Sequence, residues 1–339
     1  MKKTLVALTV AALAATSAQA VTVLDQDGSK VVFDGSLRLI GEKQSNQDTA
    51  LRNAGTRFRV TTKHQIDQDF YALGRVEFRF DKNAGRDGFG DLNTKRAYVG
   101  LGSQQAGELT FGRQLTIADD LSQADDYEYG LINKGNYIAT SGNSVIRYDY
   151  KGVEGLQVGA NYNFGQGKTK NAAGLGVLYA QDSYDVRFGY GHTNYTAVGN
   201  AKAKTLDGYL LSTGYSFGDF ALTGDFGYAN EKDKAKDAKT DRFYVSPGFK
   251  YQVIPASKVY GNYLYEESKT DNKASTADTK AKKQGVLLGV DYKFHKQVVV
   301  FLEGAYTQTK EYTANVANGY KLDSKTNEKA VGVGMRVFW

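Results

Sequence analysis

The sequence predicts an all-β fold, a transmembrane antiparallel β-barrel of about sixteen strands. Three observations carry that expectation. Segments of about ten residues alternate apolar with polar side chains, the period of a strand with two unlike faces. The joins between them alternate short with long. Composition favours strands throughout: of 339 residues 38 are Gly, 24 Tyr and 17 Phe, while only 2 are Pro, which cannot donate to a strand ladder.

Residues 1–20, "MKKTLVALTVAALAATSAQA", set two lysines before a short apolar run that ends in Ala18-Gln19-Ala20. This is the form of a secretory signal peptide cleaved before Val21. Residues 21–339 then form the barrel, with 41 basic side chains against 37 acidic ones. A nucleic-acid binder would carry a larger, clustered basic excess, so none is expected as a partner. The chain has no cysteine, and an exported domain of this size needs no disulfide if it buries enough surface. Mean hydropathy is −0.47, and after the signal no stretch approaches the ~20 apolar residues of a spanning helix.

The strands follow in order. "SLRLIGE" places Leu37 and Leu39 on one face with Ser36 and Arg38 on the other. "TRFRVTTK" does the same with Phe58 and Val60 against Arg57, Arg59 and Lys63. "YALGRVEFRF" sets Val76, Phe78 and Phe80 against Arg75, Glu77 and Arg79. Further on, "LQVGANYNF", "YDVRFGYGH", "FALTGDFGYAN", "GVLLGVDYKF" and "QVVVFLEGAY" keep the pattern, with Asp225, Asp291 and Glu303 on polar faces. The last segment, "AVGVGMRVFW", puts Val331, Val333, Met335, Val337 and Trp339 on one face. Trp339 is expected at the membrane interface, where the final strand closes the ring against the first.

A β-sandwich also alternates, so the joins decide. Short ones fall at 66–69, 103–107, 151–155, 181–183, 217–219, 254–257 and 295–296. Long polar loops are expected near 43–55, 81–93, 114–143, 165–173, 194–205, 230–241, 267–283 and 309–329. A barrel with tight turns on one side of a membrane and long loops on the other sorts its connections this way, and a sandwich has no reason to.

A charge facing lipid at mid-depth costs ~2–4 kcal/mol, so the arginines need a wet interior. Arg38, Arg57, Arg59, Arg75 and Arg79 are the candidate basic wall of a constriction. Whether Lys95 or Arg96 faces inward is open, because the alternation is untidy there. Opposite stand the acids of the third long loop, Asp119, Asp120, Asp125, Asp126 and Glu128. Its roughly thirty residues inside a compact barrel require a purpose. A basic wall facing an acidic loop sets up a transverse field that separates cation and anion paths while overall selectivity stays weak.

The motifs "DQDGSKVVFDGSLRL", "GTRFRV", "RAYVGLGSQQAGELTFGRQ", "DRFYVSPGFKYQ", "VYGNYLYEE" and "VGVGMRVFW" run the length of the chain. On them the sequence resembles the Gram-negative general diffusion porins of the OmpC/OmpF type, and most of all the major outer-membrane porins of Haemophilus and Pasteurella. The resemblance implies a homotrimeric, water-filled channel for ions and small hydrophilic solutes, with the third loop folded into the lumen. It also implies contact with outer-membrane lipid and lipopolysaccharide, and insertion by the barrel-assembly machinery, to which the terminal aromatic is a signal. No cofactor or metal is implied. By the resemblance Arg57 and Lys95 fall on the family's basic ladder, so Lys95 joins the candidate basic wall. Where such porins often carry an arginine just after the third loop, this chain has "TSGNS", and Arg147 is the nearest basic candidate.

Catalytic groupings are absent from the sequence. His64, His192 and His295 lie far apart, with no nucleophile beside a base. "DQDG" at 25–28 begins like a calcium loop, but Ser36 stands where the closing Glu belongs. Two other readings remain: a substrate-specific porin, which would show a lumenal path of stacked aromatics, and an exported β-rich adhesin, which leaves the parity of the joins unexplained.

Overall fold

The computed structural model describes residues 20–82, 89–196, 203–235, 237–273, 277–315 and 319–339. The expected signal peptide, but for Ala20, lies outside them. Among the described residues sixteen strands form the wall. They are β1 (Ser29–Gln44), β2 (Arg57–Gln65), β3 (Phe70–Phe80), β4 (Leu92–Ser103), β5 (Gly107–Leu115), β6 (Ser141–Val153), β7 (Leu156–Asn163) and β8 (Thr169–Ala180). The second half comprises β9 (Tyr184–Tyr195), β10 (Lys204–Phe217), β11 (Phe220–Asp233), β12 (Ala238–Ile254), β13 (Ser257–Asn272), β14 (Thr279–His295), β15 (Val298–Asn315) and β16 (Gly319–Phe338). Each pairs antiparallel with its neighbours in sequence, and β16 pairs back onto β1, Arg336 opposite Arg38 and Phe338 opposite Ser36.

The seam is a composite. β16 covers one flank of β1 only as far as Gly35, which exchanges backbone hydrogen bonds with Trp339 at 3.0 and 3.3 Å. The short segment Val21–Gln26 then takes over the same flank, from Val21 opposite Phe33 to Gln26 opposite Ser29. On the other flank Ala50–Asn53 and β2 share the line in the same way. Closure leaves no unpaired edge in a medium that offers no hydrogen bonds.

Burial is inverted relative to a water-soluble domain. Val99, Leu101, Leu288 and Val333 are 54–64% exposed, whereas Glu77 and Glu303 are at 0% and Asp225 at 2%. The apolar face therefore looks outward and the polar face inward. Near the short-turn end the outer face gathers aromatics, with Phe217, Phe220 and Phe249 in ring contact at 5.1 and 6.1 Å.

The short joins stand where expected, but several long ones are shorter than the sequence suggests. The polar stretches 230–241, 267–283 and 309–329 continue as ladder, out to Asp233 opposite Ala238, Thr270 opposite Thr279 and Asn315 opposite Gly319. The physical reason is solvent. Beyond the bilayer both faces of a hairpin are wet, so polarity marks the membrane boundary and the strand runs on past it.

Candidate functional site: a lumen narrowed by one loop

Strand register assembles the basic wall. Arg38 on β1 stands opposite Arg336 on β16, and Arg57 on β2 opposite Arg79 on β3. Ser36, two residues from Arg38 on the same face, is opposite Arg57. Four arginines from four adjacent strands thus share one inward patch, and Arg38 lies in Coulombic reach of the other three. Like charges about 7 Å apart repel by roughly 2 kcal/mol at an effective dielectric of ~20. The carboxylate inside this patch is Glu77, bonded to Arg79 at 2.7 Å and Arg96 at 3.1 Å. Arg38 Nε donates to Ser36 Oγ at 2.7 Å and Arg57 Nε to the Gly55 carbonyl at 3.1 Å.

Arg59 and Arg75 lie further toward the short-turn end. Arg59 pairs with Asp34, and Arg75 Nε donates to Thr61 Oγ1 at 3.1 Å. At Lys95 a bulge interrupts the β3–β4 ladder: Glu77 faces Arg96, Phe78 faces Thr94, and Lys95 is skipped. An extra residue breaks the period of two, which is why the sequence left Lys95 and Arg96 ambiguous. Arg96 reaches Glu77, while Lys95 is exposed. Sequence reasoning passed over Arg336, although alternation with Gly332 and Gly334 already gives it the face opposite the valines.

The third long loop, L3 (residues 116–140), is folded into the lumen. Its apolar side chains make the main buried cluster of the protein, Ile117, Leu121, Leu131, Tyr137 and Ile138 against Leu210, Tyr244, Tyr260, Leu264 and Leu287 of the wall. Glycines on the inner face give it a seat: a Cβ at Gly189 would strike Leu121, and one at Gly208 would strike the Tyr137 carbonyl.

Wall carboxylates hold the L3 backbone. Glu303 accepts from the amides of Tyr127, Glu128 and Tyr129 at 2.6, 2.8 and 2.6 Å. Asp225 accepts from those of Gln123 and Ala124 at 3.0 Å each. Arg187 donates to the Asp120 and Ser122 carbonyls at 2.9 Å each. Tyr127 and Tyr129 donate their hydroxyls to Asp291 and Glu42 at 2.7 Å each. Hydrogen bonds to ionised groups contribute ~1.5–3 kcal/mol apiece, so L3 is fixed along its length. Arg336 joins it to the basic wall, donating to the Tyr127 carbonyl with its guanidinium 4.6 Å from the Tyr127 ring centroid.

The five loop acids have different fates. Asp120 binds Arg147 at 2.7 Å. Asp125 meets Lys258, with Lys250 at 4.0 Å. Burial pushes the Asp125 carboxyl up, but the two lysines outweigh it and hold it below the ordinary carboxylate range. Glu128 takes Arg52 at 3.1 Å and Lys82 at 2.9 Å. Lys134 donates to the Asp119 backbone carbonyl, but among the described residues no basic side chain comes within 4.0 Å of the Asp119 or Asp126 carboxylate. Asp119 lies in Coulombic reach of Arg96, and Asp126 in reach of Arg336 and Lys82.

Comparison with known proteins agrees with this geometry. The family model described as Gram-negative porin matches residues 7–312. This chain belongs to that family. The porin is 34% identical over 99% of both chains to a major outer membrane protein of Pasteurella multocida, and 33% identical over the same share to that of strain Pm70. Its fold is similar to in-vitro folded OmpT of Vibrio cholerae in trimer form, with a TM-score of 0.76 at 22% identity, covering 92% of this porin and 100% of that chain. Salmonella typhi OmpF matches with a TM-score of 0.63 at 17% identity over 93% and 99% of the two chains. The porin is a diffusion channel of the outer membrane.

Proposed function

We propose that the porin narrows at the level where Arg38, Arg57, Arg79 and Arg336 face the Asp119 and Asp126 side of L3, and that this constriction favours small anions. The observation that carries the reading is charge balance. Four arginines share the wall patch with Glu77; Asp120 and Asp125 of L3 are held by bases outside it, and Glu128, in Coulombic reach of Arg336, is matched by Arg52 and Lys82. Positive potential in a narrow, low-dielectric passage raises the local concentration of anions. Arg59 and Arg75, nearer the short-turn end, extend the basic track, with Lys95 on its flank. Arg147 belongs to the seat of L3 in this reading, through Asp120 and Asp149. The test is the reversal potential of single channels under a potassium chloride gradient. A chloride-favouring sign supports the reading, and a potassium-favouring sign refutes it.

The working unit in this proposal is a homotrimer, supported by the likeness to a trimeric neighbour. Conductance rising in groups of three steps on insertion is the expected record. Residues 1–20 are removed on export, Trp339 is read by the assembly machinery, and lipopolysaccharide borders the outer leaflet; N-terminal sequencing of the purified porin tests the first of these.

A further inference from the structure

Toward the short turns, wall and loop line an open recess of about 320 Å³, with Gln123, Asp125, Asp185, Lys250, Lys258 and Lys293 on its surface. Three adjacent strands place the lysines. Lys258 on β13 is opposite Gln252, two residues from Lys250 on β12, and opposite Asp291, two residues from Lys293 on β14. Diagonal neighbours of this kind lie within reach of long side chains. Asp125 pairs with Lys258 and, at 4.0 Å, with Lys250, and Asp185 pairs with Arg187 at 2.6 Å, whereas among the described residues no acid lies within 4.0 Å of Lys293. Asp182 and Asp219 stand at the solvated rim.

Gln123 adds an independent sign. It is 4% exposed, its backbone amide is bonded to Asp225, and its side-chain Nε2 has no acceptor. A buried donor without a partner costs ~1–3 kcal/mol, and since Gln123 lines the recess beside the lysines, a turn of its side chain brings this donor to an oxyanion held there.

We propose that this recess is a second anion stop of the channel, binding the carboxylate or phosphate group of a solute between Lys250, Lys293 and the Gln123 amide. It goes beyond the constriction reading, because it lies on different strands and uses none of the four arginines. A solute passing the arginines meets it before leaving at the short-turn side.

The experiment is a titration of inorganic phosphate against single-channel current of the full reconstituted porin, for wild type, Lys293→Gln, Gln123→Leu and Arg57→Ser. Loss of one charge-assisted hydrogen bond weakens phosphate affinity by about tenfold, and that loss is expected in both Lys293→Gln and Gln123→Leu. Lys293→Arg keeps the affinity. Gln123→Leu changes no charge. Arg57→Ser moves the reversal potential yet keeps the recess, so failure of the constriction reading shows in that variant alone. Phosphate affinity equal in wild type, Lys293→Gln and Gln123→Leu overturns the proposal, as does affinity lost only in Arg57→Ser. Lys293 lies in the wall outside L3, so its variant answers the question even if Gln123→Leu loosens the loop.

Discussion

Arg57 and Glu303 show how one inward face serves two purposes. Arg57 shares an inward patch with Arg38 and Arg79, whereas Glu303 is wholly buried beneath three amides of L3. Replacing Arg57 with Ser should raise single-channel conductance and shift ion preference toward cations; reversal potential and unit current check this directly. Glu303→Gln keeps the shape but removes the charge that the Tyr127, Glu128 and Tyr129 amides share. At ~1.5–3 kcal/mol for a hydrogen bond to a charged group, the loop should loosen without the barrel unfolding. Open-channel current noise should then rise while the barrel resists heat as before. At this scale the sequence was legible where alternation is clean, as at Arg57 and Arg79, and silent where a partner lies far along the chain. Nothing near position 303 says that its carboxylate will meet residues 127–129.

L3 is the element on which the lumen depends, and its seat is made of absences. Gly189 and Gly208 leave the room that Leu121 and Tyr137 occupy. A valine at Gly208 should expel the loop, increase conductance and expose Lys134 to trypsin, and limited proteolysis followed by mass spectrometry reads the cut. Acid acts on the same element through Asp125. Because its docked pKa lies below the undocked one, the contact with Lys258 contributes fully above the undocked value of ~3.9 and is lost as pH falls through the docked value. Channel current should therefore not respond to release of this contact between pH 7 and 5, and loop noise should appear only in stronger acid. The length of L3 announced a function in the sequence, but its course did not, since the wall glycines read equally as packing for a curved sheet. The strand extensions at 230–241, 267–283 and 309–329 were misread for a related reason, as hydropathy reports the solvent and not the hydrogen bonds.

For the whole molecule, the inverted burial sets the physical behaviour. Side chains such as Val99, Leu288 and Val333 present a continuous apolar belt, so detergent should be needed to release the porin from membranes, and high salt alone should leave it in the pellet. Strand count and closure were readable because two independent signals, the period of two and the parity of the joins, agreed along the entire chain. Charge balance in the lumen was not, because it depends on which acids find bases across the barrel. Asp125 and Lys258 are 133 positions apart and meet only in three dimensions.

The position of Arg336 carries a consequence for how the channel comes into being. It sits on β16, which closes the ring, beside Arg38 on β1 and donating to the Tyr127 carbonyl. A half-built wall therefore has neither its fourth arginine nor the tether that joins L3 to it. The full set of four arginines and the L3 tether arrive together, in the single event that seats β16 against β1.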